Sequence, residues 1–167
     1  PPELYTRALG AWRQGDWQAC AELLDSLLTD GHMDRTNPHR YRTLLLRGKA
    51  LYMEASAASY SEAAWVLEAA LRERPSSSEA AVWLARVYVG QAKQGAAGDL
   101  LERLLEDCPA NTEALRLSAS LAAGQQDAAG AMALLEQAAA GKTELALVFL
   151  DKACMEHAAG DRQGCLL

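Results

Sequence analysis

Residues 60–75 read YSEAAWVLEAALRERP: an aromatic, then Ala63, Leu67 and Ala70 at helical spacing, then Pro75. Proline stops a helix because it has no backbone N–H to donate and its ring clashes with the preceding turn. A lone amphipathic helix of this kind would say little. A copy of a recurring unit would dictate the architecture of the whole chain, so the deciding question is whether its pattern returns at a fixed interval.

It does. A small residue followed four positions later by leucine occurs at Cys20 and Leu24, Ala63 and Leu67, Ala97 and Leu101, and Ala131 and Leu135, and Cys165 is a fifth small residue just before the last residues. The intervals are 43, 34, 34 and 34. A second series runs upstream, at Ala8, Gly48, Ala85, Ala119 and Ala153, preceded four residues earlier by Leu4, Leu44, Ala81, Leu115 and Phe149. Each unit is therefore two helices, and a small residue on each lets the pair approach closely. Turn signals separate them at Gly15-Asp16-Trp17, Ser59-Tyr60, Gln125-Gln126-Asp127 and Gly160-Asp161, and Pro75 and Pro109, again 34 apart, close second helices.

With these residues in place the chain resembles the tetratricopeptide repeat family, whose unit is a 34-residue helix-turn-helix with small residues at these slots and a closing proline. The match covers essentially the whole chain and is best in the quoted unit, through Tyr60, Ala63, Leu67, Ala70 and Pro75. The resemblance implies an all-α fold, a right-handed α-solenoid of antiparallel helix pairs. The array divides into unit one at 1–34 with a longer connection at 30–40, unit two at 41–76, unit three at 77–110, unit four at 111–144 and an incomplete unit five at 145–167. Departures are visible too. The first-helix aromatic is present only as Tyr88, with Ala11, Leu51, Ala122 and Glu156 elsewhere, and His32 and Thr143 stand in the closing-proline slot. The longer first interval places its extra residues around DGHMDRTNPHRY and EASAASY, between helices, where repeat arrays accept insertions.

Composition agrees with helix: half of the 167 residues are hydrophobic, Ala and Leu dominate, and there are one Phe and five Pro. A net charge of −6 gives no basic excess for a phosphate backbone, which argues against nucleic acid. Cys20, Cys108, Cys154 and Cys165 form no CxxC pair, and no window reaches the roughly 18 apolar residues of a membrane span. A reducing, cytoplasmic setting is expected. The chain reads as an excerpt of a longer protein whose fifth unit halts at GDRQGCLL, so self-association through an uncapped end is one expectation.

Catalytic chemistry is thin. Cys154 and His157 share a helix face as a thiol beside a base, but lack a positioned third group. The run GQQDAAGAMALLEQAAAG has no phosphate-loop lysine and no preceding strand, and Asp99, Glu102, Glu106 and Asp107 fit a solvated helix face. No enzyme activity, metal or cofactor is expected.

Function should then sit on a surface. In the family the first helix of each pair lines the concave side, which places Tyr5, Leu9, Trp12 and Arg13, then Arg42, Leu45, Lys49, Tyr52 and Met53, then Glu79, Val82, Trp83, Arg86 and Val89, then Glu113 and Arg116 in a groove; unit five would add Asp151. Arg13, Arg42, Lys49, Arg86 and Arg116 outnumber Glu79, Glu113 and Asp151 by two on an acidic chain. The expected partner is a protein or peptide with apolar anchors and acidic residues, bound by an assembly adaptor. The rival reading is a segment of a larger repeat scaffold that makes contacts through its ends or convex face. The family's carboxylate clamp for chaperone tails is missing, because Tyr5, Leu9, Leu46, Glu79 and Trp83 occupy its places.

Overall fold

The computed structural model describes residues 2–29, 33 and 37–140, and every regular element among them is helical. In chain order they are α1 (Pro2–Gln14), α2 (Trp17–Thr29), α3 (Arg40–Glu54), α4 (Ala57–Glu73), α5 (Ser78–Gly90), α6 (Gln94–Asp107), α7 (Thr112–Gly124) and α8 (Ala128–Ala140). Successive helices pack as antiparallel pairs, as in α1 with α2, α3 with α4 and α7 with α8.

Short polar side chains start these helices by accepting from the otherwise orphaned N–H three residues on. Asp16 Oδ1 accepts from Ala19 N at 3.1 Å, Ser77 from Ala80 N at 3.1 Å, Asn111 from Ala114 N at 3.0 Å and Asp127 from Gly130 N at 2.9 Å. Ser56 and Ser59 form a reciprocal capping box ahead of α4. That box corrects one sequence expectation. Ser59 and Tyr60 are inside α4 rather than in the turn before it, because Ser56 supplies an earlier cap. Pro75 and Pro109 lie just beyond α4 and α6.

The chain divides into two compact units, Pro1–Lys93 and Gln94–Leu167. In the first, α1 to α5 pack each on the next, and α3 also touches α5. Ala8, Cys20, Ala63 and Ala85, all from the two small-residue series, are 0% exposed, as are Leu24 and Leu67. At Gly48 the approach is closest: a Cβ there would lie 2.5 Å from Leu67 Cγ, so only glycine lets α3 and α4 meet at this depth. Tyr41 ties α3 to the start of α5 through a 2.5 Å hydrogen bond between its hydroxyl and that of Ser77. Arg47, buried on α3, pairs with Asp25 of α2 at 2.9 Å and with Glu62 of α4.

In the second unit Leu115, Ala119, Ala131, Leu135 and Ala138 form a buried cluster between α7 and α8. Ala97 and Leu101 on α6 are equally buried, so the anchor pair keeps its place in each described repeat. Fully burying each such leucine contributes roughly 1.5–3 kcal/mol.

Candidate functional site

Part of the sequence-predicted groove set comes together where α3 meets α5. Lys49, Tyr52 and Met53 occupy one turn of α3, while Glu79, Trp83 and Arg86 recur at i, i+4 and i+7 on α5 and therefore share one face of it. Lys49 Nζ makes an ion pair with Glu79 and also lies 5.4 Å from the centre of the Trp83 ring. The Arg86 guanidinium is 4.6 Å from the same ring. Tyr52 meets Trp83 edge-on, with centroids 5.5 Å apart at 73°, and meets Tyr60 of α4 at 5.7 Å.

This geometry concentrates π faces and cations on one half-buried tryptophan. The electron-rich face of an indole attracts Lys and Arg, and each contact of this type is worth roughly 0.5–1 kcal/mol near a surface. The cluster is also backed firmly. Tyr60, beneath Tyr52, packs so close to Gly90 that a Cβ on Gly90 would come 3.0 Å from its ring, and its carbonyl accepts from Gln91 Nε2 at 3.0 Å. Met53 is 41% exposed beside this cluster in the sequence of α3, which leaves an apolar side chain open to a partner.

Other members of the predicted set are placed differently. Val82 and Leu45 are buried, so they offer little surface to a ligand. Val89, Tyr5 and Leu9 are half-buried, whereas Arg13 and Arg42 are exposed. Trp12 packs edge-on against Trp17 of α2 at 5.0 Å, so part of its ring seals the first helix pair. Arg116 belongs to the second compact unit, where it bonds Glu113 one turn back at 3.2 Å. Two rings absent from the groove set, Tyr60 and Trp17, turn out to buttress two that are in it. Neither lies on a first helix, and counting inner-helix positions could not find them.

The acidic residues Asp99, Glu102, Glu106 and Asp107 are exposed along α6, and the glycine-containing run after Gln126 is the capped helix α8. Among the described residues no three His, Cys, Asp or Glu side chains gather as a metal site, and no helix is long and apolar enough to cross a membrane. Cys154 and His157 lie outside the described residues.

No family model and no curated protein matches the chain. Solved structures do. A tetratricopeptide repeat protein from Parabacteroides merdae is similar with a TM-score of 0.77 at 19% identity over 96% of this chain, which spans 60% of that longer one. A thermophilic tetratricopeptide repeat protein of Thermus thermophilus gives a TM-score of 0.75 at 16% identity, covering 91% of this chain and 79% of the other. YrrB, a tetratricopeptide repeat protein with an unusual peptide-binding site, gives 0.73 at 14% identity, covering 90% and 73%. Taken with the repeating helix pairs and their buried small-residue anchors, these likenesses give the chain the tetratricopeptide repeat fold.

Proposed function

We propose that the chain is a non-enzymatic protein-interaction module that acts as an assembly adaptor and holds a peptide or helix of its partner on the α3 and α5 face. The observation that carries this reading is the Trp83 ring, flanked by Lys49 and Arg86 and braced by Tyr52. A rigid aromatic anchor with cations around it suits a partner that brings an apolar side chain and acidic neighbours, since burial supplies affinity and charge supplies orientation and encounter rate. Arg13 and Arg42 are exposed and make no ion pair among the described residues, which leaves them available to steer such a partner. A structural neighbour, YrrB, is a tetratricopeptide repeat protein with an unusual peptide-binding site, which supports peptide recognition by this fold in general.

The test is affinity capture of partners on the wild-type chain, followed by titration of each with variants. Trp83→Ala is expected to weaken binding by about 2 kcal/mol, the scale of an aromatic hot spot, and Arg86→Glu to weaken it and flatten its salt dependence. Glu106→Lys, on exposed α6, is the control. A partner that tolerates the Trp83 and Arg86 variants but is lost with Glu106→Lys overturns this reading.

A further inference from the structure

A second surface of the first compact unit has the features of a binding site. Between α2 and α4, with α3 as floor, lies a cleft of about 460 Å³, within the roughly 300–1,000 Å³ usual for ligand clefts. Leu28, Leu44 and Ala69 give it apolar walls, and Trp65 at its edge is 61% exposed. A tryptophan this open forgoes the burial that normally stabilises so large a ring. The charges of the lining are matched within it apart from one: Arg40 bonds Glu73 at 3.2 Å, Arg47 bonds Asp25, and Arg72 makes no hydrogen bond or ion pair among the described residues. The floor also includes Arg47, whose Nε is buried without an acceptor.

From this arrangement we infer that the α2 and α4 cleft is a second docking site, for an extended peptide that carries a large apolar side chain and a carboxylate about three residues apart. Trp65 and Arg72 are seven residues apart on α4, hence about 10 Å apart along its axis at ~1.5 Å per residue. A chain extended in the polyproline II conformation covers that distance in about three residues at ~3.1 Å each and, with three residues per turn, presents both side chains on the same side. The apolar side chain stacks on Trp65 against Leu28 and Ala69. The carboxylate meets the planar fork of Arg72, which is shaped to bind it with two parallel hydrogen bonds. Backbone carbonyls of the segment between face the arginine floor. This site involves none of the residues of the α3 and α5 face and stands or falls independently of the function proposed above.

The experiment uses fluorescein-labelled peptides with Phe and Glu three positions apart, titrated by anisotropy into the full chain. Controls replace Glu by Lys or Phe by Gly, and unlabelled 3-phenylpropionate serves as a free carboxylate competitor. Binding should drop on the order of tenfold or more with either peptide control and with Trp65→Ala or Arg72→Glu, and should be unchanged with Glu106→Lys on exposed α6. Both substituted side chains are exposed, and circular dichroism confirms that the variants fold. Binding indifferent to Trp65→Ala and Arg72→Glu overturns the inference. So does competition by 3-phenylpropionate as strong as that of the peptide, which would make the site one for small acids. A wild-type dimer that Trp65→Ala dissociates in sedimentation would instead assign the cleft to a second copy of the chain.

Discussion

All four tryptophans and all five tyrosines of the chain fall before Lys93, and residues 94–140 of the second compact unit contain no aromatic side chain at all. Yet both units repeat the same helix pair with the same anchors. In the first, interlocking rings and ion pairs such as Arg47 with Asp25 and Lys49 with Glu79 join the helices. In the second, alanine and leucine do so almost alone. The repeat therefore needs small residues at fixed positions and little else, which leaves the remaining positions of the first unit free to vary and to carry rings. Where rings are absent the helices still pair, so the pairing itself does not require them.

The sharpest way to break that contrast is to remove the same leucine from each unit. Leu67 and Leu135 occupy equivalent repeat positions and both are 0% exposed. Leu135→Ala should cost toward the upper end of the roughly 2–5 kcal/mol range for buried leucines, because its alanine neighbours are too short to fill the void. Leu67→Ala should cost less, since the glycine opposite it at position 48 lets α3 close toward the void. Urea unfolding followed by circular dichroism gives both values, and hydrogen exchange in α7 and α8 locates the larger loss. Equal costs would mean that the two cores differ only in composition.

Overpacking probes the same contact from the other side. Gly48→Ala forces a methyl to within 2.5 Å of Leu67 Cγ and should destabilise by about 1–3 kcal/mol. Gly124→Ala, where a Cβ meets nothing within 4 Å, should be neutral or slightly stabilising by helix propensity. Because Leu67 is the clashing partner, the Gly48→Ala and Leu67→Ala changes together should cost less than their sum. Strict additivity would show that α3 and α4 do not meet through this pair.

Those anchors were legible before any coordinates. Ala8, Cys20, Ala63, Ala85, Ala97, Ala119 and Ala131 all have 0% exposure, because a 34-residue period written in side-chain size is a direct record of where backbones touch. Charges and rings were harder to place. The expected groove included Val82, which lies buried, and the α2 and α4 cleft went unseen, because helical spacing names a face without saying how far neighbouring helices cover it. Trp65 sits on the helix two residues beyond the Ala63 anchor and carries no mark of its 61% exposure in the sequence. The misplaced turn at Ser59-Tyr60 has a local cause: with Ser56 also present, two serines competed for the cap, and the reciprocal box chose the earlier.

Alkali should act on the first unit through groups that α6, α7 and α8 do not contain in the same setting. Burial, reinforced by its hydrogen bond to Glu68 at 2.9 Å and that carboxylate's charge, raises the Tyr88 phenol above its ordinary 10.0. Burial, with Asp16 nearby, raises the Cys20 thiol above 9.0. Each is harder to ionise folded than unfolded, so its contribution is fully present below the unfolded value and is lost as pH rises from there through the folded value. Stability should therefore fall above about pH 9 and more steeply above about pH 10. Tyr88→Phe should cost about 0.5–1.5 kcal/mol at neutral pH and remove the steeper part of the decline. A variant with the same alkaline slope as wild type would mean that Tyr88 is not the group responsible.

The smallest expected effect asks whether the units share a backbone even where they share no side chains. Ala92 and Gln126, 34 residues apart, both adopt the left-handed conformation, at φ 59° and 67°, in the turn between two helices of a repeat. In the first repeat the corresponding turn has Gly15 at φ 76°, the residue to which this region costs nothing. An L-residue there carries a steric cost of about 1–2 kcal/mol, part of which is offset because glycine has more freedom to lose on folding. Ala92→Gly and Gln126→Gly should thus each stabilise by a net of roughly 0.5 kcal/mol, and Gly15→Ala should destabilise by a similar amount. Neither Ala92 nor Gln126 is buried, so little packing is altered and the backbone term stands nearly alone. Matching gains at 92 and 126 in thermal unfolding would show that the turn geometry is set by the repeat and is indifferent to the side chains of the helices it follows. A gain at only one would mean that side chains of that unit impose the conformation, and the two regions would then differ in backbone as well as in composition.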